Sequence, residues 1–575
     1  MNRRLILTLI LLFCLSLPAG SRIVAENAAA HWSDAFPNGV AAGDVTQTSA
    51  VLWARTSVTG TLTFSVLGGG TVVRTVSDPL EPASVTIRNL SPDQRYVYTV
   101  TTSDGNSMSG TFVTPAEDGH HGLRFGASGD WRSDFAPYPS IANVPARNLD
   151  FFISLGDTVY ADVGSPAVRR PAVTLDEFRL KHDEAYGEHL GLNTWASIRS
   201  TTSLYAIFDD HEVRDDIAGA APAADYDGFP ETSGLVNETQ LFRNGIQSFQ
   251  EYNPLERLVY AADSDGAAAQ LPDFYRYRTF GQDAALFILD ARTFRDAPIP
   301  PAASMGDVAR YLEDAFAEGR AMLGATQLDR LKADLLAAEA DGIVWKFIVI
   351  PEPIQHLAFG TATDRFEGYA AERAELLRFL INHCIDNVVF VTGDVHGTVI
   401  NNVMHLEGPD ATPMPTTALE VTAGPVAHNV TVASRIMSAA TRYGFVTDSD
   451  MEAYAAMSTS AAKDRFLLDT ANAMHEALGY DAIGLEDAPV DAELLKGEYM
   501  AAHVYGWTEF EIDEETLQLT VTTYGVEPYD RGDVEDDPEG VISRSLAIVS
   551  QFTVDPLPRR DHTAYLPITF LPAAD

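Results

Sequence analysis

LDFFISLGDTVY, residues 149–160, is an apolar run that stops at Gly156-Asp157 and delivers a phenol, Tyr160, three residues further on. Runs of about 4–8 residues rich in Val, Ile, Leu and Phe read as strands buried on both faces, the habit of parallel sheets. Four more runs end in the same way: LRFGASGDW at Asp130, SLYAIFDDHEV at Asp209, Asp210, His211 and Glu212, WKFIVIPEP at Glu352, and NVVFVTGDVH at Asp394 and His396. Open α/β sheets hold ligands outside the carboxyl ends of their strands. One crevice is therefore expected to gather these carboxylates with Tyr160, His211 and His396.

The chain has 575 residues, 46% hydrophobic and 10% aromatic, which is too long for one ordinary core and too apolar for disorder. More than one domain is expected. A formal charge of −42 excludes nucleic acid as a partner, because phosphate backbones are held by Lys and Arg clusters. Lysine occurs only at Lys181, Lys332, Lys346, Lys463 and Lys496, so the surface reads as acidified, as on salt-exposed proteins, and suits divalent cations.

At the N-terminus, MNRRLILTLILLFCLSLPAG puts Arg3 and Arg4 before an apolar run over residues 5–17 and small residues near Ala19 and Ala25. This is the layout of a secretory signal peptide over residues 1–25, and the run is short for a membrane span. A secreted, periplasmic or extracellular protein with no stable membrane span is expected. General and twin-arginine export both fit the arginine pair, and an uncleaved anchor is the alternative. Cys14 and Cys384 are the two cysteines, so the mature chain has no intramolecular disulfide. Cys384, in AELLRFLINHCI, reads as a small buried apolar residue of an amphipathic helix.

Thr, Ser and Val alternate through residues 36–115, with Gly, Asn and Asp turns, and predict a β-sandwich domain over residues 31–116. EDGHHG, residues 117–122, reads as a linker. A layered α/β domain is expected over residues 122–556, where strands alternate with helices such as GATQLDRLKADLLAAEADG. An Ala- and Met-rich helical insertion is expected at about 431–498, covering an edge or the site. After it, HVYGWTEFEIDEETLQLTVTTYGV predicts a hairpin and SRSLAIVSQFTVD a further strand.

Hard and borderline cations prefer carboxylate, phenolate and imidazole ligands, and a carboxylate can bridge two of them. Asp157 is the natural bridge, Tyr160 suits ferric iron, Asp210 and Asp394 suit a second metal, and His396 can turn back to the first. Two metals roughly 3.5–4 Å apart clamp the oxygens of a phosphoryl transfer and make hydroxide available at neutral pH. His211 is then placed to protonate the leaving group, and no covalent serine is needed. Arg132, Arg214 and Arg373 are candidates for holding a phosphate oxygen, and His356 for a ligand or its support. Neither a G-x-S-x-G elbow nor a P-loop occurs. ADSDGAAAQ, residues 262–270, begins like a calcium loop but has Phe274 at its twelfth position, so it reads as a surface turn. DRGDVEDDPEG, residues 530–540, reads as a solvated loop.

Taken in order, F-x-x-G-V-A-x-G-D from Phe36 to Asp44, LGDTVYAD, FDDHEVRDD, WKFIVI, DRFEGYAAER and VTGDVHGTVIN resemble the alkaline phosphatase D (PhoD) family of metallophosphatases. The resemblance spans about residues 36–400 and resumes near 500. It implies a four-layer metallophosphoesterase-type β-sandwich flanked by helices, behind an N-terminal immunoglobulin- or fibronectin-like domain. It also implies secretion, hydrolysis of phosphate monoesters and diesters, and a centre of Fe³⁺ and Ca²⁺, with Zn²⁺ or Mn²⁺ as alternatives at the second site. Residue by residue, it makes Asp157 the bridge, puts Tyr160 and His396 on iron and Asp210 and Asp394 on the second metal, and sets His211 near the leaving group.

Where relatives carry Ser-Cys, with the Cys on iron, this chain has Ser128-Gly129-Asp130. Gly129 has no donor. The Gly-Asp-Trp that follows is similar to the first metal motif of purple acid phosphatases, so Asp130 is expected to replace the thiolate. Phe366 stands where relatives have Trp, a matter of packing. The resulting expectation is a monomeric phosphatase acting on small-molecule phosphate esters. The alternatives are a phosphodiesterase or phospholipase D-like hydrolase, and a non-catalytic carbohydrate- or surface-binding protein.

Overall fold

Along the strand Phe151–Ser154 the side chains alternate, Phe151 and Ile153 entering one apolar core and Phe152 another, the period of two of an extended chain with both faces covered. The computed structural model describes residues 31–226, 228–231, 233–261, 269–357 and 365–560. Phe151–Ser154 pairs in parallel with Leu123–Ser128 on one side and with Ser203–Ala206 on the other. These three strands are the middle of a ten-stranded sheet. A second, seven-stranded sheet has Ala284–Ile288, Trp345–Val349, Val388–Thr392 and Met414–Thr422 running parallel.

The two sheets face one another across an aromatic core. Phe125 stacks on Phe151 and on Phe510 at 4.7 Å each, and meets the edge of Phe347 from the opposite sheet at 4.9 Å. On the outer faces, Ala325–Ala340 and Ala370–Asn382 pack Leu331, Leu335, Leu376 and Leu377 against Ile348 and Phe390. Trp195 and Ile198 of Thr194–Thr201 cover Phe152 and Trp507 on the other side. The result is a mixed α/β fold with helices outside two sheets.

Several expectations change. The N-terminal β segment divides between sheets: Gly60–Val66, Gly70–Val76, Gln94–Thr102 and Ser107–Thr114 form a four-stranded sheet, whereas Val40–Gly43, Ser49–Ala54 and Ala83–Arg88 extend the ten-stranded one through Gly43 beside Leu204. Its texture predicted strands, but a strand's partner is set by long-range pairing. The 431–498 segment is not helical throughout. Val432–Tyr443, Asp448–Ala455 and Ser460–Leu478 are helices, while Asp491–Gly497 is an exposed edge strand paired with Ala547–Asp555. Cys384 lies beyond the end of Ala370–Asn382 with φ 50° and is partly exposed, so it is not a helical core residue. In DRGDVEDDPEG, Asp530 and Asp537 cap two short helices, Arg531–Asp536 and Pro538–Ile542.

The hairpin is Tyr505–Ile512 with Leu519–Val526, and Ala547–Asp555 follows beside it. The signal segment over residues 1–25 and most of ADSDGAAAQ lie outside the described residues. Among the described residues, no helix is long and apolar enough to cross a membrane. Because Phe125 is fully buried and in contact with three other rings, Phe125→Ala is expected to cost about 3–5 kcal/mol. Urea unfolding followed by tryptophan fluorescence measures the loss.

Candidate metal centre

Three strands end in Gly-Asp, and in each the aspartate adopts the left-handed conformation: Asp130 at φ 64°, Asp157 at 52° and Asp394 at 62°, joined by His396 at 57°. Only a few per cent of non-glycine residues do this, with Asp and His enriched because their short polar chains bond locally. The turn ends the strand and leaves the carboxylate at the sheet rim. Gly156 permits the closest approach, since a Cβ there would lie 2.6 Å from Asp209 Cβ.

Asp130, Asp157 and Asp210 follow strands of the ten-stranded sheet, whereas Asp394 and His396 follow a strand of the seven-stranded one. The groups meet at one rim because the parallel strands of both sheets end there. Asp130, Asp157 and His396 offer ligand atoms within 4.8 Å of one another, and so do Asp157, Asp210 and His211. Asp157 belongs to both sets, the position a bridging carboxylate needs. His396 Nδ1 donates to Val430 O at 2.6 Å, which leaves Nε2 facing Asp130 at 3.5 Å and the Tyr160 hydroxyl at 3.4 Å. That tautomer presents a lone pair, as a metal-binding imidazole must.

The electrostatics are those of a rim built for cations. Burial pushes the Asp130 carboxyl well above the usual range, and Asp394 and Asp209 push it further. Burial does the same to Asp157, with His211 opposing and Asp210 adding. Burial works against a charge on His211, but Asp157, Asp210 and Asp162 hold its pKa well above the ordinary histidine value. Asp130 Oδ2 and Asp210 Oδ1 are buried with no hydrogen-bond partner among the described residues. Buried oxygens without donors, crowded by like charge, fit metal ligands. The donor set of carboxylates, phenol and imidazole fits hard or borderline ions.

Glu212 ties the rim together. Its fully buried carboxylate accepts from Asp157 N at 3.1 Å, Thr158 N at 2.7 Å, Thr158 Oγ1 at 2.8 Å and Asp209 N at 2.8 Å. Beneath it, Arg292 is enclosed and pairs with Asp209, with Glu352 and, at 3.4 Å, with Asp210. Glu352 Oε1 also takes Arg295 at 2.6 Å, while Glu352 Oε2 is buried with no hydrogen-bond partner among the described residues. His211 Nδ1 donates to Asp162 at 2.9 Å, which turns Nε2 towards Asp215 at 3.5 Å and Asp157 at 4.0 Å.

Of the other expected groups, Arg132 forks onto Asp134 at 2.9 Å, with its guanidinium 5.6 Å from the Tyr160 ring centre. Arg373 is spent on the carbonyls of Ile354 and Met404, and Arg214 on those of Val213 and Ala172. His356 sits 3.6 Å from Glu367 with its ring tilted against that of Tyr480 at 4.6 Å, away from the ligand groups. Phe366 belongs to the core under Ala370–Asn382. Sequence reading missed Asp162, Arg292, His428 and Arg435. For Arg292 a signal existed, because AALFILDAR is a sixth apolar run with a polar end.

A family model described as PhoD-like phosphatase matches residues 126–466, from the strand before Asp130 to the last insertion helix. The chain belongs to the PhoD-like phosphatase family. Alkaline phosphatase D of Bacillus subtilis (strain 168) is 24% identical over 434 residues, 66% of this chain and 67% of that one. The solved structure of PhoD superposes with a TM-score of 0.63 at 17% identity, covering 92% of this chain and 93% of that one. A purple acid phosphatase from yellow lupin seeds gives a TM-score of 0.45 at 11% identity over 90% of this chain and 74% of that one, too low to bear on the site. As a PhoD-like phosphatase the protein is a metal-binding phosphoric ester hydrolase.

In Glu212→Gln an amide NH₂ would face backbone N–H donors in a closed space. The expected cost is about 1–3 kcal/mol of stability and about 10- to 100-fold in metal affinity, read by urea unfolding and by equilibrium metal titration.

Proposed function

We propose that the protein is a secreted phosphatase that hydrolyses phosphate monoesters, with diesters as further substrates, at a binuclear centre and without a covalent serine intermediate. The observation that carries this reading is the sharing of Asp157 between two groups of candidate ligands. Asp130, Asp157, Tyr160 and His396 would hold one ion and Asp157 and Asp210 the other, with Asp394, which lies in neither group but whose charge reaches Asp130 and Asp209, as its third carboxylate. Fe³⁺ suits the first set, with its phenol and imidazole, and Ca²⁺ the second, with Zn²⁺ or Mn²⁺ as alternatives there. When bound, such a pair neutralises charge on the phosphoryl oxygens and lowers the pKa of water between them.

The chain's own groups do the rest. His211 holds a proton on Nε2 for the leaving oxygen, because Asp162 fixes the ring through Nδ1 and Asp157, Asp210 and Asp162 together favour the imidazolium against burial. Arg132, beside the Tyr160 ring, is the near cation for a phosphate oxygen. The N-terminal pattern of Arg3, Arg4 and the apolar run supports export. Residues 31–116 read as an N-terminal β-sandwich domain of immunoglobulin or fibronectin type, supported by the core shared by Leu52, Phe64, Ile87 and Tyr98. Residues 122–556 read as the metallophosphatase domain, and the chain as a monomer.

Asp157→Asn is expected to lose bound metal and at least about 100-fold in activity on p-nitrophenyl phosphate, the rate equivalent of about 3 kcal/mol of charge stabilisation. Elemental analysis beside the assay checks it, and retention of both metal and activity refutes the centre. Asp162→Asn is expected to keep its metal and to lose about 10- to 100-fold in kcat, measured on the same preparations.

A further inference from the structure

The first insertion helix, Val432–Tyr443, is sewn to the rim and does not hang over it. His396 O accepts from Val432 N at 3.1 Å, and His396 Nδ1 donates to Val430 O just before the helix. A Cβ on Gly397 would lie 2.4 Å from Val432 Cγ1, so helix and metal-binding loop are in direct contact. One turn in, Arg435 reaches back and places Nη1 3.5 Å from Asp394 Oδ2. Its side chain is 36% exposed. Its charge acts on Asp130, His396 and His428, and that of Arg132 acts on Tyr160 and His428. Both charges reach His428, whose ring is tilted against that of His396 at 3.8 Å and stacked on that of Tyr160 at 5.1 Å. Two arginines from distant parts of the chain therefore bear on one group of rings and carboxylates.

We propose that Arg435 is the specificity-determining residue of this site and selects phosphate monoesters over diesters by holding a terminal phosphate oxygen beside Asp394, with Arg132 as the second cation. The inference rests on the hydrolase reading of the rim. A monoester presents three terminal oxygens and close to two negative charges at neutral pH. A diester presents two and one, and sets an ester oxygen with its substituent where the third would be. A guanidinium forks onto paired phosphate oxygens and gains with each charge-assisted bond. An ester oxygen is a poor acceptor, and its substituent has to pass Arg435 and the start of the helix. The insertion thus contributes a substrate contact as well as a surface.

The test uses the full, metal-loaded chain with p-nitrophenyl phosphate and bis(p-nitrophenyl) phosphate. In Arg435→Ala the monoester kcat/KM is expected to fall about 10- to 100-fold. Inhibition by inorganic phosphate should weaken in step, the diester should change by no more than about threefold, and metal per chain should hold. Arg435→Lys, which keeps the charge and loses the fork, should fall between. Parallel losses on both esters, or an unchanged monoester rate, overturn the assignment. Should Arg435→Ala shed metal, Arg435→Gln, which keeps most of the side-chain length, decides on the same ratio of esters. Absence of both hydrolyses from the unsubstituted chain overturns the hydrolase reading and this one with it.

Discussion

The carboxylate of Glu212 is the junction on which the rim depends. It accepts from the backbone of two neighbouring strand ends, those carrying Asp157 and Asp209, and it has no exposure to water. A buried carboxylate is tolerated when donors surround it, and here those donors are the turns that position the candidate ligands. The same four-residue stretch, Asp209-Asp210-His211-Glu212, supplies an arginine partner, a ligand candidate, the histidine that Asp162 holds and the junction itself. Its compactness places these roles at fixed mutual distances without help from remote loops.

Around that junction the protein concentrates negative charge in a space that excludes water. Asp130, Asp157 and Asp209 are buried within reach of one another's fields, and burial pushes Asp209 up to about 7 even beside Arg292. Arg292 and Arg295 neutralise the lower layer, through Asp209 and Glu352. Among the described residues, the upper layer of Asp130, Asp157 and Asp210 has no such arginine pairing of its own beyond the reach of Arg292 to Asp210. Cations would complete that layer, so the site suits metals better than a purely organic ligand.

The helical insertion changes how the site is to be understood. Through Val430 and Val432 it fixes the orientation of His396, and through Arg435 it reaches Asp394. Substitutions along Val432–Tyr443 therefore bear on the metal-binding loop directly. Chain segments that look peripheral in order, 300 residues from Asp130 in the case of His428 to within a few positions, are adjacent at the rim because Met414–Thr422 runs parallel to Val388–Thr392 and ends beside it.

Local pattern was enough for the strands that matter, because a run such as LDFFISLGD has few ways to bury itself and a Gly-Asp end has few ways to continue. Asp130, Asp157, Tyr160, Asp210, His211, Asp394 and His396 were legible for that reason, each sitting at the end of a strand or a short turn beyond it. Glu352 and His356 shared the same local signature and went elsewhere, one to arginines and the other to Glu367. The pairing of Asp162 with His211, the role of Arg292 and the reach of Arg435 have no local signature, since each joins residues distant in the chain or on different sheets. By itself the sequence determined which residues stand at strand ends, a matter of nearest-neighbour sterics and burial. Only the tertiary structure decided which of them face one another, because the packing angle of two sheets and the path of an inserted helix are set by the whole core.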